Sequence, residues 1–597
     1  MNVIYRALLA LPLALISLDA LGAPAIAMHG APKLAAGYTH FPYANPDAAK
    51  GGKMVLGRVG NFESLHHYIV RGARVAGRQL THQSLMARTF DEPFTLYALI
   101  AEDVTTPPDR SSVTFHLRPG ARFHDGSEIT VGDVIFSHAI LAAEGRPNHR
   151  YFYNQVSSVE RRGKRTVTFR FKSTGNRELP LIMAMMPILS KASFADRAFD
   201  RVSLEPVMGS GPYVVDSVEP GRSIQYRRLK DYWARDLPSQ RGQHNFDTIR
   251  YDYYRDDSAM LEAFKAGKID LRAESDPRLW AQGYDGPALR KGAIKLATYP
   301  HRRPAGMYAL VMNTRRAPFK DPRVRKALAH ALDFTWLNKT LFHGAYQRTR
   351  SYFGNSELAA TGLPSPEEVA LLAPFRDSLP TDVFAKAYNP PNSENRRQLR
   401  QGFKAARALL EAAGWRIKGL ELRHKDSGQA FRFEIMLSRR GNERLALHLA
   451  RNLKKLGIHV EVRLVDGAQY QQRTNTYDFD AMFHRWEPSL SPGNEQAFYW
   501  GAAAARDPGS RNYPGIQVLA IDALVGVISD ASSRPSLVTA VRAMDRVLQW
   551  GHYVIPLFHQ TEDRVALWDR FGRPQRTSLY GYRLETWWAD TTRLKHN

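Results

Sequence analysis

Residues 117–137, LRPGARFHDGSEITVGDVIFS, compress a strand end, two turns and a capped helix into one short run. Apolar and polar residues alternate from Val113 to Leu117, as in a strand with one buried face. Pro119-Gly120 and Asp125-Gly126 supply turn chemistry, and Thr130 with Asp133 three residues later imitates a capping box. A helix starting there turns Val131, Val134 and Ile135 toward a core. None of these residues makes a catalytic motif, so the stretch speaks for architecture.

The pattern continues outward. Lys53 to Val59 reads as a strand after a Gly51-Gly52 turn, and Val167, Phe169 and Phe171 alternate with Thr168 and Arg170. Gly209 to Tyr213 marks a turn into another strand. Asp257 to Lys268 carries Met260, Leu261 and Phe264 at helical spacing, with Gly267 near its end and a strand beginning at Ile269-Asp270. Asp321-Pro322 offers an N-cap and a first-turn proline, with Val324, Ala327, Leu328 and Ala331 as the buried stripe and Arg323, Lys326 and His330 on the other face. From about residue 395 helices and strands alternate: a helix stopped by Gly414, a strand around Phe433 to Leu437, a helix from Asn442 stopped by Gly457, and an alternating run from Ile458 to Leu464. That order favours a sheet covered on both faces, with ligands bound beyond strand ends. The Pro- and Ser-rich segment 354–395 reads as a surface excursion.

A chain of 597 residues is too long for one core and divides into two or three domains. Arg6, the apolar run Ala7 to Leu18 and the small residues of Ala25-Ile26-Ala27 read as a cleaved secretory signal over 1–27, with the mature chain starting near Met28. About a dozen apolar residues interrupted by Pro12 fall short of the roughly 20 that cross a bilayer. No cysteine is present, which removes disulfides, thiolate metal sites, thiol nucleophiles and the lipid-bearing cysteine of a lipoprotein. A free periplasmic protein is expected. The excess of 83 basic over 58 acidic residues, a net charge of +25, steers anions, but no compact Lys/Arg block with interleaved aromatics points to nucleic acid. There is no phosphate-cradling loop, no Gly-x-Ser-x-Gly elbow and no His-Glu-x-x-His, so an enzyme is not expected. His66-His67 read as lone surface histidines, and neither metal nor other cofactor is expected.

The 117–137 string resembles the signature of family 5 extracellular solute-binding proteins, the periplasmic receptors of peptide ABC importers. The segments NTRRAPFKDPRVRKALAHALD (313–333), NKTLFHGAYQRTRSYF (338–353) and RWEPSLSPGNEQAFYWG (485–501) resemble its microcin C and murein-peptide uptake branch. The resemblance implies an α/β, two-lobed periplasmic binding protein of the type II, venus-flytrap kind. The first lobe spans 28–304 with an inserted subdomain at about 75–205, the second spans 305–552, and 553–597 returns to the first. Hinge strands are expected near 300–306 and 553–560.

The implied function is capture of oligopeptides or peptide conjugates by lobe closure, without catalysis, as a monomer that hands its ligand to an inner-membrane ABC permease. The alternatives are a secreted peptide hydrolase and a binder of haem or metal chelates. In oligopeptide binders of the family a Trp-x-x-Asp segment sets a tryptophan against the peptide and a carboxylate against its α-ammonium. Trp486 matches the tryptophan, whereas the carboxylate position falls on Ser489. Glu487 or Glu495 is the expected substitute, Glu487 being preferred, because a buried cation needs a counter-charge. Arg485, Asn494 and Trp500 complete the second-lobe site, and Phe62, Ser64 and Leu65 are expected to line the cleft from the first lobe. The bland readings stand beside these: Trp486 and Trp500 as core aromatics, Asn494 as a helix cap, and Arg485 as a solvated charge or a partner of Glu487.

Overall fold

The computed structural model describes residues 23–590 and Thr592. The basic start and apolar run of the expected signal lie outside the described residues.

The quoted stretch folds as its residues dictate. Ser112–Leu117 is a strand with Val113, Phe115 and Leu117 buried. Thr130 Oγ1 accepts from Asp133 N at 3.3 Å while Asp133 Oδ2 accepts from Thr130 N at 2.9 Å, so the capping box is complete. The helix Val131–Ala143 buries Val131 and Val134 fully and Ile135 partly. It packs on a four-stranded antiparallel sheet ordered Ala101–Thr105, Ser112–Leu117, Thr166–Phe171, Val156–Arg161. A small sheet of Ala25–Ala27, Thr95–Ala98 and Met86–Arg88 flanks it and shares its core, so Ala25–Ala27, outside the expected 75–205, packs with the subdomain region.

Ala25–Ala27 bears on the expected cleavage site. Ile26, Ala27 and Met28 are buried, and the strand pairs with Thr95–Ala98. A mature chain starting near Met28 would lose it, while a cut before Ala25 would keep it.

The rest of the first lobe is a seven-stranded mixed sheet, ordered Ile294–Pro300, Glu562–Trp568, Leu271–Ala273, Lys53–Val59, Thr248–Tyr254, Ser223–Arg228, Tyr213–Glu219. Lys53–Val59 runs parallel to both of its neighbours, which the helix Asp257–Lys265 connects. That helix lies so close that a β-carbon on Gly57 would stand 2.8 Å from Met260 and Ile269 side-chain atoms.

The second lobe is a five-stranded sheet ordered His459–Leu464, Arg432–Leu437, Ala481–Trp486, Met307–Met312, Val554–Pro556. Helices cover both faces. Along Met307–Met312, Met307, Ala309 and Val311 enter one core with the helices Leu519–Asp530 and Arg534–Trp550. Leu310 and Met312 enter the other, with the helices Pro322–Ala329, Arg396–Ala412 and Glu443–Lys454. This is the two-faced burial that helix and strand alternation implies. The stripe Val324, Ala327, Leu328 and Ala331 is buried as expected.

Two expectations change. Segment 354–395 is not a surface excursion: Leu358, Leu372, Leu379 and Val383 enter the second-lobe core, and Glu368 pairs with Arg546 inside it. The return to the first lobe comes after residue 553, because Val554–Pro556 pairs with Met307–Met312 and the first-lobe sheet is rejoined only at Glu562–Trp568. Arg325 of the helix Pro322–Ala329 is buried as well and donates to the carbonyls of Phe319, Lys320 and Gly551.

Candidate functional site

The chain crosses between lobes twice, at 300–307 and 559–562. Gly306 sits on the first crossing at φ +70°, and a β-carbon there would stand 2.1 Å from the Trp486 carbonyl oxygen. Only glycine allows that approach. Asn355 Nδ2 donates to the carbonyls of His301 and Arg303 at 3.0 Å each, and Arg485 Nη1 donates to that of Ala305 at 3.3 Å. The strand carrying Arg485 and Trp486 therefore ends against the hinge.

Trp486 is 2% exposed, its ring 4.9 Å from Trp500 and 4.7 Å from His484. Its Nε1 donates to the Arg511 carbonyl at 3.2 Å, and Trp500 Nε1 donates to Gln496 Oε1 at 2.9 Å. Both indoles are thus anchored internally and support the 487–495 loop. Arg485 is exposed, lies over the Tyr308 ring, and bonds the hinge carbonyl instead of Glu487. Glu487 is exposed, and Ser489 Oγ accepts from Ser491 N at 3.0 Å within the loop. Asn494 occupies the N-cap position of Glu495–Trp500 without a side-chain capping bond.

Glu495 is the loop's inward carboxylate. Its Oε2 accepts from Gly493 N at 3.0 Å and its Oε1 from Gln496 Nε2 at 2.9 Å. Glu178, from the inserted subdomain, approaches from across the lobes. A β-carbon on Gly493 would lie 3.7 Å from Glu495 Oε2 and 3.9 Å from Glu178 Oε2, with the Met28 methyl at 3.1 Å. Burial, then the charge of Glu495, pushes the Glu178 carboxyl up to about 7; burial pushes Glu495 up, opposed by its hydrogen bonds. Two carboxyls from different lobes thus flank Gly493. A second interlobe contact, Gly30 N to the Ser532 carbonyl at 3.1 Å, lies nearby.

In the first lobe Phe62, Ser64 and Leu65 are buried. The Phe62 ring packs at a tilt on Tyr253 at 5.0 Å, Ser64 Oγ accepts from His66 N at 3.0 Å, and Leu65 N donates to the Ser203 carbonyl at 2.9 Å. The segment folds back on Ala73, which turns these side chains into the lobe and away from an open cleft. His66 and His67 are likewise buried, not surface residues, and burial pushes their imidazoles down to about 4 and about 3. Among the described residues no cluster of His and carboxylates has metal-holding geometry.

The first lobe instead offers a cavity of about 740 Å³ between its large sheet and the subdomain, reaching the hinge at Arg303 and Asp563. Arg58, Arg78, Arg88 and Arg583 add positive charge against Glu585, and Phe90, Tyr251, Tyr580 and Tyr582 add aromatic wall. Arg303 pairs with Asp563 and Arg583 with Glu585, while Arg88 donates to Tyr580 Oη at 2.8 Å. The excess of arginines suits a ligand bearing carboxylates or phosphates. No local signal marks this cavity in the sequence, because its residues come from segments hundreds of positions apart.

Residues 95–507 match the model of the bacterial extracellular solute-binding proteins, family 5 (middle). A Brucella melitensis protein is 43% identical over 576 residues, covering 94% of either chain. The peptidoglycan-binding protein YepA of Agrobacterium fabrum is 39% identical over 580 residues, again 94% of either chain. The oligopeptide-binding protein AppA of Bacillus subtilis, solved with a nonapeptide, superposes with a TM-score of 0.63 at 20% identity, over 91% of this chain and 100% of that one.

Proposed function

We propose that this chain, which belongs to the family 5 bacterial extracellular solute-binding proteins, is a monomeric periplasmic receptor for short peptides, murein peptides foremost, that serves an inner-membrane ABC permease. The observation that carries the reading is the meeting of Glu178 and Glu495 from opposite lobes at Gly493. Two carboxyls there repel when ionised, and a peptide α-ammonium between them relieves the repulsion while touching both lobes. Glu495, with Glu178, thereby takes the part of the aspartate whose place Ser489 occupies; the exposed Glu487 is less suited.

The peptide's carboxylates turn toward the arginine-lined cavity beside the hinge. Backbone hydrogen bonds would give sequence-tolerant affinity, and closure would follow only from the ligand's better fit to the closed state. A murein peptide carries several carboxylates, which favours it for this cavity; an anionic peptide–nucleotide conjugate of the microcin C kind is the second candidate. The binding step needs no bond cleavage.

Isothermal titration of a murein tripeptide and of its N-acetylated form, in two buffers of different ionisation enthalpy near pH 6.5, tests the reading. The free amine should bind at least about tenfold tighter and release protons, since the ammonium favours ionised carboxylates. Equal affinities with no proton release would remove the two glutamates from the site.

A further inference from the structure

A separate pocket of about 720 Å³ lies in the second lobe, against the hinge-side strand pair Gln347–Arg348 and Phe558–His559. Arg348 lines it and is only 8% exposed. Its Nη1 donates to the Leu557 carbonyl at 3.0 Å and the guanidinium lies over the Phe334 ring at 6.0 Å, but Nε and Nη2 are buried without a hydrogen-bond partner. Those two N–H groups share the outer edge of the guanidinium, the edge that takes both oxygens of a carboxylate side by side.

None of the residues lining the pocket is acidic; its polar wall includes Arg350, Asn389, Asn392, Asn355 and Tyr388. A buried carboxylate, Asp545, stands behind the wall, bonded to the wall residues Ser351 and Ala360. Its oxygens are taken up by Ser351 Oγ, Gln549 Nε2 and the backbone N–H groups of Tyr352 and Ala360. Burial pushes the Arg348 guanidinium down to about 9, with Tyr388 opposing and the like charge of Arg350 adding to the effect. It still carries its proton at neutral pH. A buried cation that no protein group neutralises is costly to keep, and its cost falls once an anion docks on the free edge.

We infer that this pocket is an oxyanion site of its own, in which the Nε–Nη2 edge of Arg348 grips a carboxylate and Arg350 adds long-range attraction. The inference does not depend on the peptide reading, because the pocket lies on the second-lobe side of the hinge and shares no lining residue with the arginine-rich cavity of the first lobe.

The test uses succinate as probe, with sodium chloride at matched ionic strength as control, on the full chain and on Arg348→Lys and Arg348→Met. Succinate should raise the melting temperature of the unaltered chain where chloride does not. Arg348→Lys, which keeps the charge but loses the two-donor edge, should bind succinate on the order of tenfold more weakly. Arg348→Met should melt no lower than the unaltered chain without anion and gain nothing from succinate. An equal gain in all three chains, or none in the unaltered one, overturns the site. A crystal of the unaltered chain grown in saturating succinate decides without any variant: a carboxylate on the Nε–Nη2 edge supports the inference, and a bare edge overturns it.

Trialanine and its C-terminal amide separate two sources of the anion. Block of succinate by trialanine but not by the amide assigns the site to the end of a bound peptide. Succinate binding that ignores both assigns it to a free small anion. Either result sustains the oxyanion site.

Discussion

Two buried arginines of the second lobe sit in opposite circumstances. Arg546 pairs with Glu368, both side chains under 5% exposed, and also donates to the carbonyls of Thr361, Gly362 and Leu363. Arg348 has one carbonyl and an idle edge. The first fastens the 354–395 segment to the helix Arg534–Trp550, while the second is one of the residues lining a pocket. A buried charge with all its partners holds a fold together; one lacking them is a cost that a ligand can offset.

The largest effect should come from taking a partner away. Glu368→Ala leaves Arg546 buried with carbonyls alone and should lower unfolding free energy by about 3–5 kcal/mol in urea titration. A loss under about 1 kcal/mol would show that the carbonyls suffice and would blur the contrast with Arg348.

The next effect is on pH. Glu178, raised from 4.5 to about 7, binds its proton more tightly in the folded contact than when free. The protonated contact is therefore fully favourable below about pH 4.5 and loses that advantage as pH rises through 7, on the order of 3 kcal/mol at most. Small-angle scattering of the ligand-free protein should show a more compact particle at pH 5 than at pH 8. Glu178→Gln should erase the difference, and its persistence in that variant would place the titration elsewhere.

The smallest effect concerns Asp133, a buried carboxylate satisfied by hydrogen bonds. It accepts from Thr130 N, Thr130 Oγ1 and Lys191 N. Thr130→Ala removes one of these and the cap on Asp133 N, and should cost about 1 kcal/mol in thermal or urea unfolding, with ligand affinity unchanged.

The sequence is most legible where structure is local. The strand, turns and capped helix of 112–143 follow from neighbouring residues, and the two-faced second-lobe sheet follows from the helix and strand alternation after residue 395. Segment 354–395 misleads because its helices, Pro366–Leu372 and Asp382–Ala385, are short and set among prolines and serines, so the core residues Leu358, Leu372, Leu379 and Val383 are thinly spread along it. His66 and His67 look polar in sequence, yet the turn back to Ala73 buries them, a tertiary event that no short window records.

The site divides the same way. Family resemblance marks the 485–501 loop, and Glu495 within it points inward. Its partner Glu178 stands more than three hundred residues earlier, at the entry of the short helix Leu179–Ala184, and only the closing of subdomain on second lobe brings them together. The Arg348 pocket is hidden for a further reason: the sequence shows an arginine, but not which of its donors go unused.

Gly306 fixes the mechanics of the whole. Wedged against the Trp486 carbonyl, and followed at once by a strand registered on Ala481–Trp486, it travels as cargo of the second lobe. Bending on this crossing must then be absorbed upstream of the glycine, and the second crossing at 559–562 must bend with it. Even a methyl group at that glycine would pry the crossing off the Trp486 carbonyl and loosen its grip on the lobe it rides with.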